Sequence, residues 1–257
     1  MFNDGIEAVS KTAKKKAKLL SVNPAGYMVS SMIAGMFVGF AVLLSYTVGG
    51  QLAGSAFTKP MMGASFGIAL SLVTMAGGEL FTGNVLAMVI GWIQKTVTTK
   101  QVIKVLVASF IGNWIGSIIL AFLFVGTGLD TGPVGEFMAH GAMDKMHGSA
   151  VELLCKAILC NTLVCLGMWC YYKMKSESGK LIMLFWCLYA FITMGFQHCV
   201  ANMTLLSVSL IHPVDVLVNI EGYFYNIGIV TIGNIIGAIV FVALPYSLIA
   251  MRNIESE

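Results

Sequence analysis

The sequence predicts an all-α polytopic membrane protein with six transmembrane spans. Three observations carry that reading. Of 257 residues, 58% are hydrophobic and only 11% charged, against about 25% charged in an ordinary soluble domain. The apolar residues gather into six segments, roughly 27–48, 61–93, 102–125, 149–172, 181–210 and 224–250, each reaching the ~20 residues that a membrane helix requires. The basic residues alternate in phase with those segments. With six spans, Lys11, Lys14, Lys15, Lys16, Lys18, Lys95, Lys100, Lys104, Lys173, Lys175, Lys180 and Arg252 all fall on one side. Lysine and arginine in short loops mark the cytoplasmic face, so both termini are expected there, and the even count is supported independently of hydropathy.

In chain order, residues 1–22 form a basic N-terminal helix. Ile6, Val9, Ala13, Ala17 and Leu20 fall near one face, the pattern of an amphipathic helix lying on the cytoplasmic leaflet; a gating element is the alternative. Residues 23–251 make one membrane domain, and 252–257 a short cytoplasmic tail. Segments 1, 3 and 6 carry small residues at close-packing spacing, Gly35 with Gly39, Gly112 with Gly116 and Gly233 with Gly237, which lets helices approach closely. Segments 2 and 5 are too long for one plain span, and each holds a polar interruption. The first is Gly77-Gly78-Glu79-Leu80-Phe81-Thr82-Gly83-Asn84, the second Gly195-Phe196-Gln197-His198-Cys199-Val200-Ala201-Asn202. Each is followed one segment later by a near-copied tag, Ile111-Gly112-Asn113-Trp114-Ile115-Gly116 or Ile232-Gly233-Asn234-Ile235-Ile236-Gly237. Segments 2 and 5 are therefore read as broken helices, two half-helices around a turn. The opposite face holds Lys59 and Lys145 with Asp130, Glu136, Asp144, Asp215 and Glu221.

Matched interruptions in duplicated halves point to a site at the bilayer midplane. Non-helical backbone survives at membrane depth only inside protein or along a wet cavity, and half-helix N-termini offer N–H groups suited to anions. His198 is the one titratable imidazole inside a break, able to give a proton or a hydrogen bond to a passing anion; a neutral histidine bonded to a backbone carbonyl is the alternative. Thr82 can donate to an anion or to His198, or bond its own turn. Asn161 and Asn202 are further amides in or near spans, and Asn113 and Asn234 can tie the turns down across helices. Glu79 either caps neighbouring N–H groups or carries protons. Lys145 either concentrates anions at the outer mouth or pairs with Asp144. Lys156 sits four residues after Glu152, the spacing of an intrahelical ion pair. Phe66, Leu70, Leu80, Phe81 and Phe191 flank the breaks, where apolar rings can act as constrictions or simply as packing.

Six cysteines follow no disulfide or zinc spacing and read as small buried residues. No cofactor motif, metal cluster, nucleophile constellation or nucleic-acid signature is visible, which argues against an enzyme. At these residues the chain is similar to the formate/nitrite transporter family over about 3–250, through Asn23-Pro24-x-Gly26, Glu79-Leu80-Phe81-Thr82, Asn161, His198-x-x-Ala201-Asn202 and Gly233-Asn234-Ile235-Ile236-Gly237. The resemblance implies an aquaporin-like fold with an inverted 3+3 repeat, a homopentamer with one pore per protomer, and the inner membrane of a prokaryote. It implies that Thr82 and His198 form the central polar pair, with Asn161 and Asn234 as pore-associated amides and Lys145 as the vestibule lysine. Phe66 and Phe191 then match the outer constriction, and Leu70, Leu80 and Phe81 the cytoplasmic one. One departure stands out: the family usually has Glu directly before the histidine, and here it is Gln197. The wording is closest to nitrite-type members, so a small monovalent anion, nitrite first, is the expected substrate, with passage linked to protons as an open point. Hydrosulfide or formate are alternatives within the family, and a neutral-solute or water channel is the alternative outside it.

Overall fold

A computed structural model describes residues 2–214 and 218–252, with side chains described up to residue 250; Asp215 and tail residues 253–257 lie outside it. Among the described residues all regular structure is helical. The order is α1 Phe2–Val22, α2 Pro24–Gln51, α3 Thr58–Phe66, α4 Ile68–Leu72 continuing in a wide turn to Gly77, α5 Phe81–Ile93, α6 Thr99–Val125, α7 Gly132–His147, α8 Ala150–Lys173, α9 Glu177–Thr193, α10 Cys199–Ile211, α11 Ile220–Ala238 and α12 Leu244–Arg252, the last two joined by a second wide turn, Ile239–Ala243. Five stretches are long and apolar enough to cross a membrane: Pro24–Gln51, Thr58–Gly77, Thr99–Val125, Ala150–Lys173 and Ile220–Ala250. Helix α9, at 17 residues, is just shorter than these.

Helices stop and restart at both polar interruptions. The α3–α4 stretch stops at Gly77 and α5 starts at Phe81; α9 stops at Thr193 and α10 starts at Cys199. Helices α5 and α10 have 13 residues each, about 20 Å of rise, well short of a ~30 Å hydrocarbon core. Both stops use the same device. Gly77 has φ +90° and Gly195 φ +75°, a left-handed conformation that only glycine adopts without strain.

Two helix pairs frame the breaks. On α6, Gly116 packs against the backbone of Met32 on α2, and Gly35 of α2 packs against the backbone of Asn113. On α11, Gly233 and Gly237 pack against Ala157 and the Ile158 backbone of α8. A Cβ at any of these glycines would run into the neighbouring helix, so the expected close approach is present in both halves. The start of α2 is fixed by Asn23, whose side chain accepts from Gly26 N–H at 2.9 Å, followed by Pro24 at the first helical position, a strong N-terminal signature.

Helix α1 differs from its expected role. Its apolar stripe is buried by protein: Ile6 is 5% exposed and Val9 and Ala13 0%, with Ala13 against Gly91 of α5 and Gly5 against Trp169 of α8. Lys11, Lys14, Lys15 and Lys18 remain on the exposed face. The periodicity was right, but a stripe of small residues suits close packing on other helices as well as it suits lipid.

Candidate functional site

Each break is held by one asparagine from the neighbouring helix. Asn113 Oδ1 accepts from Phe81 N–H at 2.8 Å, while its Nδ2 donates to Glu79 O at 3.0 Å and Ser31 O at 2.7 Å. Asn234 repeats the pattern. Its Oδ1 accepts from Cys199 N–H at 2.9 Å, and its Nδ2 donates to Gln197 O at 2.9 Å and Ala157 O at 2.8 Å. Both amides are fully buried. They replace the helix hydrogen bonds that the breaks remove, which buried backbone requires. Asn161 adds a link, donating to Asn234 O at 2.7 Å and, more distantly, to Thr82 O at 3.5 Å. Asn161 and Asn234, expected near a pore, thus spend their amides on the backbone of the breaks and of the neighbouring helices.

The breaks bring Thr82, second residue of α5, and His198, the cap of α10, to 2.9 Å between Oγ1 and Nε2. Thr82 is fully buried and His198 4% exposed. His198 Nδ1 accepts the backbone N–H of Ala201 at 3.2 Å, so Nδ1 carries no proton. In the neutral ring the proton is then on Nε2, which donates to Thr82 Oγ1. The threonine hydroxyl is left as a donor that can turn towards whatever lies beside it. The imidazole is therefore both a helix cap and the first member of a donor chain, Nε2–H to Oγ1–H.

Phe191 stacks on His198 at 6.0 Å between centroids and meets Phe66 edge-on at 5.4 Å. This puts the Phe66–Phe191 pair directly beside the His–Thr pair. A cavity of about 610 Å³ reaches His198 from the side of α7 and is lined by Phe66, Phe191, Lys145, Gln197 and Asn202 among others. Leu70, Leu80 and Phe81 are buried at 2–3% exposure on the first break, Phe81 against Phe110 at 5.2 Å, and do not line this cavity.

The charged groups are arranged as follows. Lys145 Nζ donates to Gln197 Oε1 at 2.9 Å rather than pairing with Asp144, and Asn202 Nδ2 donates to the same oxygen at 2.8 Å. Asn226 closes the ring, accepting from Asn202 and donating to Lys145 O, both at 2.8 Å. Burial, opposed by Cys160, holds the Lys145 ammonium down at about 8. Lys156 pairs with Glu152 within α8 as its spacing implied. Glu79 is ion-paired to Lys16 of α1 at 2.7 Å and accepts from Asn84 Nδ2 at 3.1 Å. Lys16, Asn84 and Asn226 were not singled out from sequence. A signal existed for one of them: Glu79 and Asn84 have the same five-residue spacing as Gln197 and Asn202.

A profile of the formate/nitrite transporter family matches residues 3–248. The nitrite transporter NirC of Salmonella typhimurium is 38% identical over 248 residues, covering 96% of this chain and 91% of that protein. A formate-nitrite transporter of Plasmodium falciparum is 28% identical over 90% of this chain and 79% of its own length. Among solved structures, an FNT family ion channel aligns with a TM-score of 0.91 at 35% identity, covering 95% of this chain and 98% of that one. A pentameric formate channel with formate bound aligns with a TM-score of 0.78 at 26% identity, covering 94% and 98%.

Proposed function

Since the chain belongs to the formate/nitrite transporter family, whose members are channels and transporters rather than enzymes, we propose that it conducts small monovalent anions, nitrite first, through a pore in each protomer of a homopentamer. The protomer crosses the inner membrane of a prokaryote with six spans, both termini in the cytoplasm, and breaks in the second and fifth spans. The observation that carries this reading is the buried Thr82–His198 pair at 2.9 Å, whose His198 lines the same cavity as Phe66, Phe191 and Lys145.

A bare anion in a hydrocarbon-lined passage loses its hydration at great cost. Lys145 raises anion concentration at the outer mouth. The anion sheds water at Phe66 and Phe191. At the midplane Thr82 Oγ1–H, supported by His198 Nε2–H, replaces part of the lost hydration, and the α5 and α10 N-termini add partial positive charge. The anion leaves past Leu70, Leu80 and Phe81. With Nδ1 occupied as a cap, the neutral ring cannot pass on its Nε2 proton without becoming an imidazolate, so the pair gives the anion a hydrogen bond, and any accompanying proton comes from the water that enters with it. Nitrite is preferred over formate and hydrosulfide because of the likeness to NirC, and an anion over a neutral solute because Lys145 lines the cavity with a neutral amide as its acceptor. Liposome flux of nitrite, formate and hydrosulfide with His198→Phe tests the assignment. Loss of saturable flux is expected; unchanged saturable flux removes His198 from the mechanism.

A further inference from the structure

The two breaks are matched in more than backbone. In the first, Glu79 Oε2 accepts from two donors: Lys16 Nζ at 2.7 Å and Asn84 Nδ2 at 3.1 Å. In the second, Gln197 Oε1 accepts from two donors: Lys145 Nζ at 2.9 Å and Asn202 Nδ2 at 2.8 Å. The acceptor stands two residues after the left-handed glycine in each case, and the asparagine five residues after the acceptor. Each lysine comes from the helix that precedes the half's first long helix, Lys16 from α1 before α2 and Lys145 from α7 before α8. The glycine, acceptor, asparagine and lysine form one clamp, present twice, once in each half of the chain.

We infer that the two clamps differ in net charge and give the pore a sided affinity, the outer clamp of Lys145 and Gln197 being an anion-holding site and the inner clamp of Lys16 and Glu79 a neutral one. In the inner clamp a carboxylate meets the ammonium, both side chains being 11–13% exposed. In the outer clamp the acceptor is an amide, and among the described residues Lys145 makes no ion pair. An ammonium has no acceptor to offer, so the amide must turn its oxygen to Lys145. Its NH2 then has no partner among the described residues and adds donors to the cavity that Gln197 and Lys145 both line. Lys145 Nζ and Gln197 Nε2 together suit a small monovalent oxyanion such as nitrite or formate. The exposed Lys14, Lys15 and Lys18 of α1 are screened by salt beyond about 8 Å and do not substitute for the half-buried Lys16.

This rests on the anion-channel reading above and on its orientation. Nitrite flux is to be measured from each side, in right-side-out and inside-out vesicles at zero membrane potential and constant ionic strength. A site at the outer mouth fills from the outside at low concentration. The expected half-saturating concentration is roughly tenfold lower from outside than from inside, the scale of one uncompensated charge in a cleft. Maximal flux is lower from outside by the same factor, since detailed balance keeps the low-concentration permeability equal in both directions. Gln197→Glu makes the outer clamp neutral and should abolish the difference. Glu79→Gln keeps both hydrogen bonds while uncovering Lys16, and should lower half-saturation from inside. Equal half-saturation from both sides in the native protein, or a difference that survives Gln197→Glu, overturns the inference while leaving the anion channel intact. Absence of any saturable anion flux overturns both.

Discussion

Replacing His198 separates its two duties. The ring caps α10 through Nδ1 and donates to Thr82 through Nε2. Asparagine is an excellent N-cap, so His198→Asn can keep the bond from Ala201 N–H while its short side chain fails to reach Thr82. Phenylalanine keeps ring volume and the stack on Phe191 but loses both bonds. Losing a cap costs about 1 kcal/mol, and leaving the buried Thr82 hydroxyl without a partner costs about 1–3 kcal/mol. His198→Phe should therefore lose about 2–4 kcal/mol, whereas His198→Asn should lose only the Thr82 share. At about 2–4 °C per kcal/mol for a chain of this size, the two variants separate in a thermal melt of the detergent-solubilised protein. In liposomes both should lose most saturable nitrite flux, because both break the donor chain. Equal destabilisation by the two variants would show that Nδ1 does not cap α10, and the proton assignment in the ring would fall with it.

Asn113→Ala and Asn234→Ala should each cost about 2–6 kcal/mol, since each strips two buried backbone groups in a break of their partner at about 1–3 kcal/mol apiece; a loss below 1 kcal/mol in a thermal or denaturant melt contradicts the tie-down role. Gly77→Ala and Gly195→Ala should each cost only about 1–2 kcal/mol of backbone strain, because a Cβ there meets nothing within 4 Å. Gly237→Ala, which drives a Cβ into the Ile158 backbone, should cost distinctly more in the same melt. The affinity of the outer side should fall as pH rises through about 8, where Lys145 gives up its proton: the charged form is present below that value and lost above it. Lys59, His140, Asp144, Glu152, Lys156 and His198 line the same cavity. Lys145→Arg is therefore the control, since an arginine stays charged throughout and should flatten the profile of half-saturation against pH above 8.

Composition and hydropathy disclosed the membrane class, and the matched glycine-rich interruptions disclosed where the helices break, because backbone geometry leaves a local mark: a glycine where φ must be positive, an asparagine in a copied tag. The residues alone leave the Thr82 hydroxyl three partners, an anion, His198 or its own turn, and only the family resemblance singles out His198, since nothing local brings residues 116 positions apart together. What covers the stripe of helix α1 is not legible in the sequence, because burial against protein and burial in lipid leave the same apolar stripe. Lys16 was invisible for a related reason: among five lysines in the stretch 11–18, only the fold selects the one that turns inward to Glu79.

The register of the two breaks separates scaffold from chemistry. Aligning Gly77 with Gly195 places Asn84 on Asn202 and Phe81 on Cys199 at the two helix starts, and the tags supply Asn113 and Asn234. These positions are shared because both turns must satisfy the same backbone groups. Other positions of the breaks have diverged: Leu80 stands against His198, Thr82 against Val200 and Glu79 against Gln197. Thr82 and His198 are therefore not duplicates of each other. They come from different registers and meet at 2.9 Å because each stands at the start of its half-helix. A symmetric ancestor with one such residue in each half would hold two hydroxyls or two imidazoles at different depths. Divergence at fixed register instead yields one imidazole–hydroxyl pair, with a carboxylate facing one lysine where an amide faces the other, differences that the proposed anion passage would use.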